Sequence, residues 1–499
     1  MASLGVSRGV SLLHMRDDNA LDRRALERAR ISRDPRFDGR FFVAVTTTGI
    51  YCRPVCPAPA PKSAHVRYYS SAAAAAEAGF RPCLRCRPEA APGTPAWLGT
   101  SAVVRRALRL IEQGALDRSS IDEFAARIGI GPRHLNRLFV QHVGASPICV
   151  AQTRRLHFAK QLIDQTSLPM TQIALAAGFG SLRRFNDAFR SAYARAPRDI
   201  RRASESVSRA TEQTSLRLAY RPPYDWRWVE DFLAARALPG VERVDEQGYA
   251  RTIALAEGSA LICVRPIPER NELELIVRGA PAASLLQISL AARRTFDLAA
   301  DPALTAQAFK ADPVLGRLVR RRPGLRIPGV WDAFECAVRA VLGQQVSVAA
   351  GRTLTRRVVE RAGAQAPANS EGLTHVFPTP AALLATPLGG LGITGARMAC
   401  LQGLARAVLE RKVTFDAPAA DVVAALESLP GIGPWTAQYI ALRALGEPDA
   451  LPAADLVLRR MAGCDGRSLA QRAEAWRPWR SYAVMHLWCA AGEPALRAA

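Results

Sequence analysis

Long apolar runs are missing from this chain: no stretch of its 499 residues approaches the ~18 uninterrupted apolar positions that a membrane-spanning helix needs. Met1–Met15 carries one arginine, a short, weakly apolar centre and no small-residue cleavage site, so it reads as a floppy extension rather than a signal peptide, with Met15 an alternative start. Cysteine is sparse outside one cluster. Cys149, Cys263, Cys336, Cys400, Cys464 and Cys489 are scattered in apolar surroundings and read as small core residues, consistent with a reducing cytoplasm. The arrangement Cys-x6-Cys-x2-Cys-x5-Cys does not occur, so no iron–sulfur cluster of that kind is expected. A lysine-rich tail is absent too, and acidic residues are few: 44 against 67 Lys and Arg, a net charge of +23. Through residue 215 there are 33 basic and 17 acidic residues, a net of +16, and the remainder carries +7. Such a front-loaded positive field favours a folded nucleic-acid binder.

What is present is more specific. Cys52, Cys56, Cys83 and Cys86 read Cys-x3-Cys-x26-Cys-x2-Cys, the spacing by which two hairpin-like corners deliver four thiolates to one tetrahedral Zn²⁺. Spacing alone suits a passive zinc fold as well as a reactive one. The flanking text is Thr46-Thr47-Thr48-Gly49-Ile50-Tyr51-Cys52-Arg53-Pro54 and Phe80-Arg81-Pro82-Cys83-Leu84-Arg85-Cys86. It resembles the zinc domain of the Ada family, which senses DNA alkylation. The resemblance implies that Cys52 accepts a methyl group from a methylphosphotriester, with Cys56, Cys83 and Cys86 as the other ligands. Four thiolates on Zn²⁺ sum to −2, and methylating one leaves −1. Near a phosphate at ~6 Å that relieves on the order of 2–3 kcal/mol at an effective dielectric of ~20, less after screening. Residues 57–61 (PAPAP) lack the arginines expected after the second cysteine, which leaves phosphate contacts to Arg53, Lys62 and Arg67.

Two segments, Ile121–Phe139 and Ile173–Phe189, share a plan: a short helix with small core residues, a glycine turn at Gly129 or Gly178, then a helix carrying Arg and Asn. That is helix-turn-helix used twice. With Gly178-Phe179-Gly180-Ser181, Phe185-Asn186-Asp187-Ala188-Phe189 and Ala196-Pro197-Arg198-Asp199-Ile200-Arg201 it resembles the AraC-type DNA-binding domain. Candidates for contact with base edges or phosphates are Arg133, His134, Asn136 and Arg137 on the first recognition helix, and Ser181, Arg183 and Arg184 on the second.

Leu429-Pro430-Gly431-Ile432-Gly433-Pro434-Trp435-Thr436-Ala437 reads as a helix-hairpin-helix whose glycine turn opens amides toward a helix N-terminus, a phosphate-binding arrangement. Gly431 and Gly433 are its candidate DNA contacts. About twenty residues on lies a single carboxylate, Asp455. Together with Pro222–Trp226, Arg322–Gly329, Leu342–Val348 and Trp476–Trp488, this resembles the DNA-3-methyladenine glycosylase II family across about 216–499. The resemblance implies that Asp455 is catalytic, stabilising an oxocarbenium-like sugar or orienting water. Trp435, Tyr439, Trp488, Tyr224 and Phe232 are the aromatics expected to hold a cationic alkylated base; Trp476 and Trp479 are expected in the core. Gln345 stands where an apolar wedge is expected. Trp435 occupies the place where strand-cleaving relatives carry lysine, so no Schiff base is expected and the product is an abasic site. No Pro-Cys-His-Arg motif occurs, so methyl transfer from O6-methylguanine is not expected.

The expected fold is multidomain and mainly α with α+β parts: a four-cysteine zinc domain at 17–92, a double helix-turn-helix at 97–202 and a linker at 203–215. A glycosylase N-terminal α+β domain with a small antiparallel sheet follows at 216–300, then a helix-hairpin-helix domain at 301–499. The function expected is a methylphosphotriester-sensing transcriptional activator fused to a glycosylase, with one Zn²⁺, no iron–sulfur cluster, alkylated and promoter DNA as partners, RNA polymerase as a further partner, and a cytoplasmic location. The rival reading is a DNA-binding regulator whose glycosylase-like module is not catalytic.

Overall fold

The computed structural model describes residues 23–92, 102–202, 213–366 and 371–492. The expected N-terminal extension and most of the expected linker lie outside the described residues. None of the described helices is long and apolar enough to cross a membrane.

The first module is helix α1 (Arg23–Ser32) on a four-stranded sheet in the order β3-β1-β2-β4, with β1 Phe42–Val45, β2 Ile50–Cys52, β3 Val66–Tyr69 and β4 Arg81–Pro82. Gly49, at φ +66°, closes the β1–β2 turn in a left-handed conformation that other residues adopt at a cost. The alanine-rich helix α2 (Ala72–Glu77) starts where Ser71 accepts a hydrogen bond from the Ala74 amide.

Eight helices follow: α3 (Ala102–Glu112), α4 (Ala115–Arg118), α5 (Ile121–Ile128), α6 (Pro132–Val143), α7 (Pro147–Gln165), α8 (Met170–Ala176), α9 (Leu182–Tyr193) and α10 (Pro197–Arg202). Gly129 (φ +92°) and Gly178 (φ +83°) make the two turns, and α5 opens with a reciprocal Ser120–Glu123 capping box. The helices that carry the expected base contacts are thus α6 and α9, and the 19-residue α7 runs between the two repeats.

The C-terminal half begins with strand β5 (Gln213–Ala219), followed by α11 (Trp226–Ala234), β6 (Glu242–Asp245), β7 (Gly248–Ala254), β8 (Ser259–Ile267) and β9 (Glu272–Arg278). The antiparallel sheet has the order β5-β9-β8-β7-β6. Residues 213–215, read as linker from their polar side chains, are therefore strand: each pairs with β9, in the register Gln213–Arg278, Thr214–Val277 and Ser215–Ile276. The remainder is helical apart from a two-stranded antiparallel pair, Ala364–Gln365 with His375–Val376: α12 (Leu285–Thr295), α13 (Pro302–Phe309), α14 (Leu315–Arg321), α15 (Ala333–Leu342), α16 (Val348–Ala362), α17 (Pro380–Ala385), α18 (Gly395–Leu409), α19 (Ala419–Glu427), α20 (Pro434–Ala444), α21 (Leu456–Ala462), α22 (Gly466–Arg472) and α23 (Arg480–Gly492). One core, including Val341, Leu404, Ile440 and Val484, holds α13 to α23 together, while α12 gives Leu285, Ile288 and Ala292 to another. A second runs without a break from the helix-turn-helix region into the sheet: Phe158, Ile163, Phe185 and Phe189 belong to the same cluster as Leu216, Leu218, Ile262 and Leu275.

Candidate active sites and DNA interface

The hairpin between α19 and α20 forms because Gly431 adopts φ +90° and lies against Cys400, where a Cβ would meet Sγ at 3.1 Å. Pro434, which has no amide hydrogen to leave unpaired, begins α20. Trp435, Tyr439 and Arg443 follow at four-residue steps and so share one face of that helix. They border a cleft of about 1000 Å³ that the 343–348 loop, Asp455 and Trp488 also line. The rings of Trp435 and Tyr439 stack at 5.4 Å and 15°, and Trp488 lies 6.2 Å from Tyr439 at 47°. Among the described residues no lysine lines the cleft.

Asp455 is the N-cap of α21 and only 9% exposed. Its Oδ2 accepts the Trp435 indole N–H at 2.8 Å; its Oδ1 accepts the Trp488 indole N–H at 3.1 Å and the Leu458 amide at 2.9 Å. Three of the four lone pairs of the carboxylate are thereby occupied, and the group is fixed as an acceptor between two aromatic walls. Tyr224 and Phe232 do not join this cleft. The Tyr224 hydroxyl donates to the Phe296 carbonyl at 2.8 Å and its ring lies on Tyr220, while Phe232 is buried beneath the guanidinium groups of Arg236 and Arg443. Trp476 and Trp479 are buried, the former donating to Asp312.

The residues that sequence reasoning missed are charged. Arg443 donates to the Tyr439 hydroxyl at 2.9 Å and to the Gly329 carbonyl at 3.1 Å, so it sets the angle of an aromatic wall. Its position eight residues after Trp435 on the same helical face was the available signal. Deeper in the cleft, Arg251 pairs with Glu335 at 2.7 Å, and Arg339 pairs with Glu335 at 2.8 Å and Glu242 at 3.0 Å. Burial opposes ionisation of Glu242, but Arg339 and Arg251 outweigh it and hold its carboxyl down at about 2. At the rim, Gln345 is exposed in a left-handed conformation (φ +53°), and Gln344 ties the loop to the hairpin through the Gly431 carbonyl at 2.8 Å and Thr436 at 3.1 Å. Gly431 and Gly433 are exposed beside it.

In the first module, parallel pairing of β2 with β4 sets Cys83 beside Cys52: the Cys83 amide donates to the Tyr51 carbonyl at 3.0 Å. The sulfurs of Cys52, Cys56, Cys83 and Cys86 all lie within 4.8 Å of one another. A tetrahedral ion with Zn–S bonds of about 2.3 Å needs sulfurs ~3.8 Å apart, so the donor set and its spacing fit Zn²⁺. Cys83 and Cys86 are buried, whereas Cys52 and Cys56 are partly open to solvent. The Arg53 amide donates to Cys86 Sγ at 3.3 Å. The Arg53 guanidinium is taken by Asp38 and the Cys86 carbonyl, so it is not the free phosphate contact read from the sequence. Lys62 and Arg67 are exposed. Next to Cys52, the Tyr51 hydroxyl hydrogen-bonds His157 of α7 at 2.9 Å; burial, aided by Lys160, pushes that imidazole down to about 4 and keeps it neutral.

Arg133, His134, Asn136 and Arg137 on α6 and Arg183 and Arg184 on α9 are exposed. Ser181 is exposed as well, but its hydroxyl caps α9 by accepting the Arg184 amide at 3.2 Å.

Residues 25–89 match the metal-binding domain of Ada, residues 124–203 a helix-turn-helix domain and residues 215–332 the AlkA N-terminal domain. A Mycobacterium tuberculosis protein described as a probable bifunctional transcriptional activator/DNA repair enzyme AlkA is 42% identical over 479 residues, covering 94% of this chain and 96% of that protein. The chain belongs to the AlkA family of bifunctional transcriptional activator/DNA repair enzymes. Within this AlkA-family chain the repair half is 39% identical over 282 residues to Escherichia coli DNA-3-methyladenine glycosylase 2, covering 55% of the chain and 97% of that enzyme. The front part is 37% identical over 149 residues to E. coli Ada, covering 30% of the chain and 40% of that protein. A 3-methyladenine DNA-glycosylase from Archaeoglobus fulgidus shares the fold, with a TM-score of 0.50 at 22% identity, covering 55% of this chain and 98% of that one. The chain is thus a DNA-binding protein that combines transcriptional activation with repair.

Proposed function

We propose that the repair half is a monofunctional DNA-3-methyladenine glycosylase with Asp455 as its catalytic carboxylate. The observation that carries this is the placement of Asp455 between two indole N–H groups at the end of an aromatic cleft. Alkylation at adenine N3 or guanine N7 leaves a cationic base, and the faces of Trp435, Tyr439 and Trp488 attract it by roughly 1–2 kcal/mol each. As the glycosidic bond lengthens, positive charge grows on the sugar, and the Asp455 carboxylate stabilises it. With three N–H donors already on its oxygens, Asp455 suits a fixed negative charge better than a proton carrier, and its remaining lone pair can orient a water. The electron pair of the breaking C1′–N bond neutralises the departing cationic base, the water adds to C1′ and its proton passes to bulk solvent, and the free base and an abasic site remain. Among the described residues the cleft offers no amine to form a Schiff base. Gln345 at the rim, with the exposed turn at Gly431 and Gly433, would fill the stack and hold the backbone of the flipped strand.

In the front half, Cys52 accepts a methyl group. Its sulfur attacks the methyl carbon of a phosphotriester; the S–C bond forms as the C–O bond breaks, and a phosphodiester anion leaves. A single Zn²⁺ held by the four cysteines would keep Cys52 ionised at neutral pH. The exposed residues of α6 and α9 read promoter DNA, and activation proceeds through contact with RNA polymerase in the cytoplasm.

The test of the repair reading is release of methylated bases from alkylated duplex DNA by the wild type and by Asp455→Asn. Loss of the fixed charge should slow release by at least about 10²-fold. Equal rates would remove Asp455 from the chemistry, and no release by the wild type would favour a regulator with a non-catalytic repair module.

A further inference from the structure

Away from the base cleft, the zinc module, the end of α7 and the sheet of the repair half meet around a second cleft of about 270 Å³. Its walls are basic. Arg53, Arg85 and Arg87 come from the zinc module, flanking the ligand Cys86; Arg217 comes from edge strand β5 and Arg270 from the turn before β9. Among the described residues the single carboxylate lining it is Glu272. Two of the arginines are already neutralised, Arg53 by Asp38 and Arg87 by Asp164 at 2.5 Å. Arg85, Arg217 and Arg270 have no ion pair or side-chain hydrogen bond among the described residues.

Arg217 is also unusually well placed. Leu216 and Leu218 point into the core, so alternation along the strand sends Arg217 to the opposite face. Its backbone is held from α7: Gln165 Oε1 accepts the Arg217 amide at 2.9 Å and Gln161 Nε2 donates to its carbonyl at 2.9 Å. Glu272 is one carboxylate against three unpaired guanidinium groups drawn from two modules, so the cleft keeps a net positive charge that an anion would neutralise. Planar guanidinium groups match phosphate oxygens in pairs.

We propose that this cleft is a DNA-backbone phosphate site shared by the two halves, in which Arg217 and Arg270 of the repair half and Arg85 of the zinc module hold one phosphate of the strand that the zinc module meets. DNA gripped beside Cys86 is then gripped by the repair half as well. The inference rests on the zinc module contacting DNA and not on methyl transfer to Cys52.

The test uses the zinc-loaded full chain and a short undamaged duplex, with affinity followed across a potassium chloride series. Each phosphate contact contributes about 0.9 to the slope of log affinity against log salt. Arg217→Gln/Arg270→Gln should flatten that slope by about 0.9, and Arg85→Gln should do the same. The triple variant should lose no more than either, because one phosphate is shared. Arg217→Lys/Arg270→Lys should keep the wild-type slope, and zinc content and unfolding midpoint should stay at wild-type values, which separates lost contact from lost fold. An unchanged slope in the double variant with a flattened one in Arg85→Gln would mean that DNA touches the zinc module alone; additive losses would mean separate phosphates. Either overturns the shared site. So would thermal protection of the wild type by inorganic phosphate, absent in the triple variant, if the DNA slopes did not change. Failure of methyl uptake at Cys52 with the slope changes intact would count against the sensor reading and leave this site standing.

Discussion

Asp455 and Cys52 are both anionic in the proposed chemistry, and each is held by a different means. Three N–H donors fix the carboxylate. Only a cation can hold four sulfurs crowded within 4.8 Å as thiolates. Cys52 and Cys56 are partly open to solvent while Cys83 and Cys86 are buried, so the first pair is the more accessible to an electrophile on DNA. Exposure of the zinc-loaded chain to methylphosphotriester DNA should therefore add the mass of one methyl group, and Cys52→Ser should gain none under the same conditions by intact mass measurement. No gain by the wild type would reduce the site to a structural clamp. At this scale the sequence was legible where a motif is local: the four cysteines and the Trp435–Asp455 spacing are fixed within short segments. It was illegible where a side chain's partner lies far off. Nothing near Arg53 signals that Asp38 claims its guanidinium, and the aromatic character of Tyr224 does not say that its ring faces Tyr220 rather than the cleft.

Among the elements, the two helix-turn-helix repeats could be read because each carries its own glycine turn and apolar face, and α5–α6 and α8–α9 lie where that pattern puts them. Strand β5 could not be read over its first three residues. Gln213, Thr214 and Ser215 show no apolar period, and their pairing is dictated by the backbone of β9 rather than by their side chains. As an edge strand, β5 exposes backbone groups on its outer side, and α7 covers one of them through Gln165. Removing that acceptor leaves the Arg217 amide without its partner. Gln165→Ala should accelerate hydrogen exchange of the Arg217 amide by at least about tenfold, equal to about 1.4 kcal/mol of lost protection, with Leu216 and Leu218, whose partners are on β9, little changed. Equal acceleration along the whole strand would instead mean that α7 holds the sheet by packing alone.

Over the whole molecule, a linear division into sensor, reader and enzyme hides one physical fact: the second helix-turn-helix repeat and the repair sheet bury a common core. Contacts at such sequence separation leave no local signature, so a polar stretch before residue 213 suggested independence. Helix α8 also lies against the Ala282–Ser284 turn of the repair half, and buried Lys160 of α7 bonds Glu89 of the zinc module at 3.3 Å and Asp164 at 2.5 Å. Helix α7 consequently touches both neighbours. The E. coli glycosylase matched by the repair half is aligned over 97% of its own length, so that half has the extent of a self-standing enzyme. Deleting residues 1–203 should then leave a folded fragment that still releases alkylated bases at moderate temperature while losing damage-induced promoter activation. The fragment should nevertheless be less stable than the same half in the full chain, because it loses the part of the common cluster that Phe158, Phe185 and Phe189 supply. Exposing the equivalent of two large apolar side chains costs about 3–6 kcal/mol, which for a domain of this size lowers the unfolding midpoint by on the order of 10 °C. Calorimetry of both proteins, read against the temperature at which each loses base release, checks this. Coincident midpoints would show that the common core adds nothing to the enzyme, and that the front half is joined to it only by chain.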